Sequence, residues 1–240
     1  MLAYLLTPLV YLLSRLDLSQ IGATLGTPET RAAIRVSLLT ASCATVFMTV
    51  FGVPLGYLLS RSFPGRNFLM GLIFVPMVLP PLVGGILLLL LWGPYGLLGR
   101  MCEGHGLHLV NDLAGIVLAQ VFVSAPLVII SAASAFGAID RRLELAAATL
   151  GDSGWRTFWR ISLPLAWPGV AAGIVLGWVR SLGEFGATLV MAYHPNSIPV
   201  YLYVQLTSSG VDDALPLALL LIVLSLLATG IVRLFGRLPA

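Results

Sequence analysis

An all-α, polytopic transmembrane bundle of about six helices is the fold this sequence predicts, and three observations predict it. Hydrophobic residues make up 58% of the chain and charged ones 10%, with a mean hydropathy of +0.99, whereas soluble domains carry about 25% charged residues. A chain this apolar cannot cover its surface with polar groups, so lipid is its expected solvent. The apolar residues fall in long runs of spanning length, and short polar segments separate them. Most of the charges gather in those segments, and the chain has arginine but no lysine.

The elements follow in order. Met1–Leu13 is apolar, interrupted by Pro8; as a helix it reaches only ~20 Å, short of the ~30 Å hydrocarbon core. It reads as a stunted first span, or as a start downstream of the true one, and it lacks a basic leader and cleavage site. Ser14–Arg31 is expected as a loop, because Asp17, Gly22, Gly26, Thr27, Pro28 and Glu29 are breakers or polar; residues 1–31 thus form a short apolar segment and an external loop. Residues 32–235 form one membrane domain. Within it Ala32–Leu59 is a span, Arg61–Asn67 a tight turn and Phe68–Trp92 a second span containing Pro76, Pro80 and Pro81. Gly93–Asp112 is a glycine-rich loop and Leu113–Ile139 a third span. After a polar loop at 140–164 come a span at Leu165–Ala192, a loop at Tyr193–Asp213, a last span at Ala214–Val232 and a tail at 236–240.

Arginine placement sets the orientation. Alternate loops give one side Arg61, Arg66, Arg141, Arg142, Arg156, Arg160, Arg233 and Arg237, and the other Arg15, Arg31 and Arg100. Arginine-rich short loops stay in the cytoplasm, so the 140–164 loop is cytoplasmic. Arginines placed singly or in pairs beside apolar runs, rather than in one stripe, disfavour a nucleic-acid binder. Cys43 and Cys102 are too few for a disulfide framework.

The 140–164 loop carries the most chemistry. Arg141–Leu150 is rich in helix formers and stops at Gly151. Ser153 is placed to cap a second short helix with Trp155, Phe158 and Trp159 on one side and Arg156 and Arg160 beside them. Such a helix either floats its tryptophans at the headgroup level or docks them into a partner. The chain has no GxxxxGK[ST] motif, so any ATP-driven work requires a separate ATPase.

Arg180 and Glu184 lie inside an apolar run, one helical turn apart. Two readings stay open: a neutralising ion pair, or a pair that attracts and holds an anion. Gly183 and Gly186 permit close packing or bending. Thr188 either donates to an anion or bonds back to its own helix. Pro80 and Pro81 either line a constriction or simply kink their helix. Cys102, His105 and His108 fit no standard zinc spacing, so no metal site is assigned.

Ala146 and Ala147, three residues, Gly151, nine residues, then Ile161-x-Leu163-Pro164 resembles the cytoplasmic "EAA" loop of type I ABC importer permeases. The family's glutamate position is Leu145 here, with Glu144 one residue earlier. Leu182–Thr188 (LGEFGAT) looks like the oxyanion branch of that family. Ala192–Pro195, Pro199–Tyr203, Phe63–Arg66 and Val78–Val83 resemble its molybdate and tungstate members more than its sulfate or thiosulfate ones. The resemblance runs from about Ala32 to the C-terminus.

The resemblance implies a type I permease fold in a prokaryotic cytoplasmic membrane. It implies two copies around a central pore, an ABC ATPase that grips the loop and binds ATP and Mg, and an extracytoplasmic oxyanion-binding protein. No cofactor is then bound by this chain, and it is no enzyme itself. A stand-alone secondary carrier explains Arg180 and Glu184 but not the loop spacing, and the chain shows no internal repeat. An intramembrane hydrolase is disfavoured because the three histidines fall in expected outer loops.

Overall fold

The computed structural model describes residues 1–15 and 18–235, apart from the side chains at 2, 5, 18–20, 228, 229 and 231–235. Asp17 and the tail at 236–240 lie outside the described residues. The described chain is helical: α1 (Leu2–Arg15), α2 (Leu18–Gly26), α3 (Pro28–Leu59), α4 (Arg66–Val78), α5 (Pro81–Trp92), α6 (Leu97–Glu103), α7 (Leu113–Gly137), α8 (Arg141–Thr149), α9 (Gly154–Thr157), a π-helical turn (Phe158–Ser162), α10 (Leu163–Leu182), α11 (Gly186–Met191), α12 (Ile198–Ser208) and α13 (Val211–Phe235). Three stretches among the described residues are long and apolar enough to cross a membrane: α3, α7, and α9 through α10. The bent pair α4–α5 makes a fourth if it counts as one span.

The centre is a three-helix unit of α3, α7 and α10. Ala44, Met48, Val128, Ala132, Phe136 and Val170 form its buried core. Small residues let α7 and α10 approach closely. A Cβ on Gly169 would come within 2.7 Å of Ala135 and one on Gly177 within 2.6 Å of Val128, and Gly173 faces Ser131 in the same stripe. Hydrocarbon gives no hydrophobic drive between helices, so close packing along such stripes holds them together.

The structure corrects five expected boundaries, one of them the expected loop Gly93–Asp112, which contains the short helix α6. Ser14–Arg31 is mostly helix, because Thr27 and Pro28 start α3 rather than break it. The Thr27 hydroxyl accepts the Thr30 amide, and Pro28 occupies the first turn, where it needs no donor. The expected span Phe68–Trp92 is two helices bent by 109°. Leu79, ahead of a proline, is extended, and Pro81 opens α5. The expected span Leu165–Ala192 ends at Leu182 and resumes as α11. The expected loop Tyr193–Asp213 contains α12, started by Pro199 in its first turn and held where the Ser37 hydroxyl accepts the Ile198 amide at 2.7 Å.

Two ends of the bundle are identifiable. At one, Arg61 after α3 meets Glu144 of α8. At the other, Asn111 before α7 donates its amide to the Met191 carbonyl and its side-chain oxygen accepts the Tyr193 amide. The turn at 61–67 and the loop at 140–164 therefore share a face.

Candidate functional site

The 140–164 segment folds as a compact elbow. Asp140 caps α8 by accepting the Arg142 amide at 2.9 Å, and Gly151 ends it with φ +92°. Ser153 accepts the Arg156 amide at 3.4 Å and starts α9. The expected second short helix does not stand apart: α9 and the π-helical turn run directly into α10. Ile161 and Leu163 are half-buried there, and Pro164 is exposed in the first turn of α10.

The two arms of the elbow face different surroundings. On α8, Ala147 is buried, while Leu145, Ala146 and Leu150 are exposed beside the Gly151 turn. Across the turn, Phe158 stacks edge-on to Tyr57 at 4.9 Å, while Trp155 and Trp159 stay exposed. Arg156 pairs with Asp152 at 3.2 Å, and Arg160 is exposed.

Glu144 is turned inward. Its carboxylate accepts from Arg61 at 2.5 Å and from the Ser162 hydroxyl at 2.6 Å, tying α8 to the ends of α3 and the π turn. Partial burial pushes the Glu144 carboxyl up, but the hydrogen bonds from Arg61 and Ser162 outweigh it and hold the group below the usual carboxylate range. The same bond to Glu144 raises Arg61 above its ordinary value. Arg61 and Ser162 were not singled out as site residues. Their only sequence signal is a basic turn and a serine among apolar residues, and neither encodes a contact to Glu144, 83 and 18 positions away.

The second constellation surrounds the break after α10. Arg180 and Glu184 form an ion pair at 2.7 Å, with Glu184 1% exposed and Arg180 36%. Glu184 stands in the break itself, and its other oxygen accepts the Ala187 amide at 2.9 Å, stapling the start of α11. Both carboxylate oxygens are thus engaged. Gly183 ends α10. Gly186 packs on the start of α5, where a Cβ would lie 2.8 Å from Pro81. The predicted residues Pro80, Pro81, Gly183, Glu184 and Gly186 therefore converge at two helix breaks that touch. Thr188 is buried and its hydroxyl has no hydrogen-bond partner, so it does not bond back to its helix. Ser181 on the other side of the break and Gln120 and Ser124 on α7 also hold buried, unpartnered oxygens. Unpaired buried hydroxyls cost about 1–3 kcal/mol each, and the α7 pair shows in the sequence only as two polar residues inside an apolar run. Among the described residues no group of three His, Cys, Asp or Glu is placed to hold a metal.

Residues 33–238 match the family described as binding-protein-dependent transport system inner membrane component. The chain belongs to that family. It is 40% identical over 232 residues to the molybdenum transport system permease protein ModB of Mycobacterium tuberculosis, covering 94% of this chain and 87% of the relative. It is 38% identical over 229 residues to the molybdate/tungstate transport system permease protein WtpB of Thermococcus kodakarensis, with the same coverage. Its fold is similar to a chain of a bacterial alginate ABC transporter crystal structure, with a TM-score of 0.76 at 17% identity over 100% of this chain and 92% of that one. A chain of the MetNI methionine ABC transporter in an inward-facing form gives a TM-score of 0.66 at 17% identity, covering 85% and 95%. This inner membrane component thus has the fold of ABC importer permeases. It is a multi-pass membrane subunit of a system that works with a binding protein and an ATPase, and not itself the ATP-hydrolysing part.

Proposed function

We propose that this chain is the permease through which a prokaryotic ABC importer brings molybdate or tungstate across the cytoplasmic membrane. The carrying observation is the identity of about two residues in five to molybdenum and molybdate/tungstate permeases along 94% of the chain. The solute is a tetrahedral dianion, delivered from outside by an oxyanion-binding protein. Two copies pair around the path, and α4, which buries none of its residues within one chain, offers surface to such an arrangement. ATP and Mg belong to the partner ATPase.

The residue roles divide as follows. The ATPase cleft takes α8 and the Gly151 turn, with Leu145, Ala146 and Leu150 as the contact. Because Glu144 is occupied by Arg61 and Ser162, this contact is apolar where the family pattern has a glutamate. Movement of α8 passes to α3 and α10 through that same tie. Arg180 supplies positive charge near the path, Glu184 holds it in place, and Thr188 supplies a hydroxyl. Apolar packing of Gly186 on Pro81 lets the two breaks move as a unit.

Uptake of labelled molybdate into vesicles holding the permease, its ATPase and its binding protein tests the substrate. Excess tungstate is expected to suppress uptake, and sulfate to leave it nearly unchanged. Suppression by sulfate and not by tungstate would overturn the assignment.

A further inference from the structure

An open apolar groove of about 710 Å³ lies between the C-terminal half of α3 and the start of the α9–α10 segment. Val53 and Tyr57 form one wall, and Trp155, Trp159, Leu163 and Trp167 the other. On α3 it runs from Thr49 to Leu58, which at 1.5 Å per residue is roughly 13 Å. That is close to half of the ~30 Å hydrocarbon core, the depth of one leaflet. Trp155 is 72% exposed, Trp159 52% and Trp167 47%. Tryptophan favours the headgroup level, with its ring body on the acyl side.

Charge on the chain segments that adjoin the groove selects the occupant. The segments 60–67 and 140–164 hold Arg61, Arg66, Arg141, Arg142, Arg156 and Arg160 against Asp140, Glu144 and Asp152. Each acid is engaged: Asp140 in capping α8, Glu144 with Arg61 and Ser162, Asp152 with Arg156. Arg156 and Arg160 follow the lining residues Trp155 and Trp159 by one position, and both are exposed. Arg160 has no acidic partner among the described residues. Arginine's planar fork fits a phosphate, and basic pockets between helices on the cytoplasmic side suit anionic headgroups.

We propose that this groove binds an anionic phospholipid of the cytoplasmic leaflet, its acyl chain along α3 and α10 and its phosphate between Arg156 and Arg160. The proposal rests on the cytoplasmic placing of the elbow and not on which anion is transported. The competing occupant is α1 of a second copy, an apolar helix that carries no acidic residue in its first turn and ends on Arg15. Arg15 falls on the opposite side of the membrane from the elbow, so such a helix offers the elbow's arginines no negative charge, whereas the anionic lipid does.

The test uses the purified full-length chain in phosphatidylcholine nanodiscs containing acyl-brominated phosphatidylglycerol or acyl-brominated phosphatidylcholine at equal fraction. Bromine quenches tryptophan fluorescence on contact. Phosphatidylglycerol is expected to quench at lower fraction, by about five-fold for each engaged arginine. The Arg156→Gln/Arg160→Gln double variant should lose that preference, and Arg156→Lys/Arg160→Lys should keep part of it. Should the glutamine variant misfold, the wild-type comparison and the lysine variant still decide. Equal quenching by both lipids would leave only bulk lipid in the groove and overturn the proposal. No quenching by either would mean that protein, such as a neighbouring α1, covers it, which also overturns it.

Discussion

At the scale of single residues, two carboxylates do opposite jobs. Glu184 sits at 1% exposure between Arg180 and the Ala187 amide. Arg180→Ala strands that charge, at a cost of about 3–5 kcal/mol for a buried pair, nearer the lower figure because Arg180 is 36% exposed. The variant is therefore expected to lower Tm as well as slow oxyanion uptake. Adding Glu184→Gln removes the stranded charge and should restore Tm while uptake stays slow. Recovery of uptake in the double variant would leave Arg180 with a positioning role only. Glu144 holds α8 to Arg61 and Ser162 from below the usual carboxylate range. A carboxylate with a lowered folded pKa contributes its full stability above its unfolded pKa and loses it as pH falls through the folded one. The tie is thus intact at neutral pH and opens only below the ordinary carboxylate range. Glu144→Gln should show a smaller loss of thermal stability than wild type on acidification, measured as Tm against pH.

Among the elements, the elbow is the sharpest case. Gly151 has φ +92° with open space around it, so Gly151→Val meets no neighbour but forces a β-branched residue into the left-handed region, costing roughly 1–2 kcal/mol. The expected result is a folded bundle with ATP-driven uptake reduced at least several-fold, read by uptake alongside Tm. Unchanged uptake would count against the turn as the coupling point. The glycine, the alanine pair and Ser153 were legible in the sequence because caps and stops are local chemistry. The contact made by Glu144 was not, because its partners lie far away in the chain. Nor was the running of α9 into α10, since Ser153 marks where a helix starts and nothing in FWRIS marks where it stops. Pro80 and Pro81 announced a disturbance but not its size: a proline pair fixes the loss of a donor, while a 109° bend depends on what α5 then packs against. Thr27 and Pro28 misled for a related reason, as turn residues are also helix starters.

For the whole molecule, hydropathy and arginine placement were enough to give a helical membrane bundle with the 61–67 turn and the 140–164 elbow on one face, which the Arg61–Glu144 bond joins. The stripe of Gly169, Gly173 and Gly177 that lets α10 lie against α7 was present in the sequence as a four-residue repeat, but small residues recur throughout apolar helices and only packing shows which ones matter. The chain holds no GxxxxGK[ST] motif, so the proposed transport draws on a separate ATPase, whose work is expected to enter through the elbow. Uptake of molybdate into proteoliposomes, with and without the ATPase subunit and ATP inside the coupling compartment, measures this most directly. Transport is expected only when binding protein, permease, ATPase and ATP are all present, and movement of the anion down its gradient by the purified chain alone would contradict it.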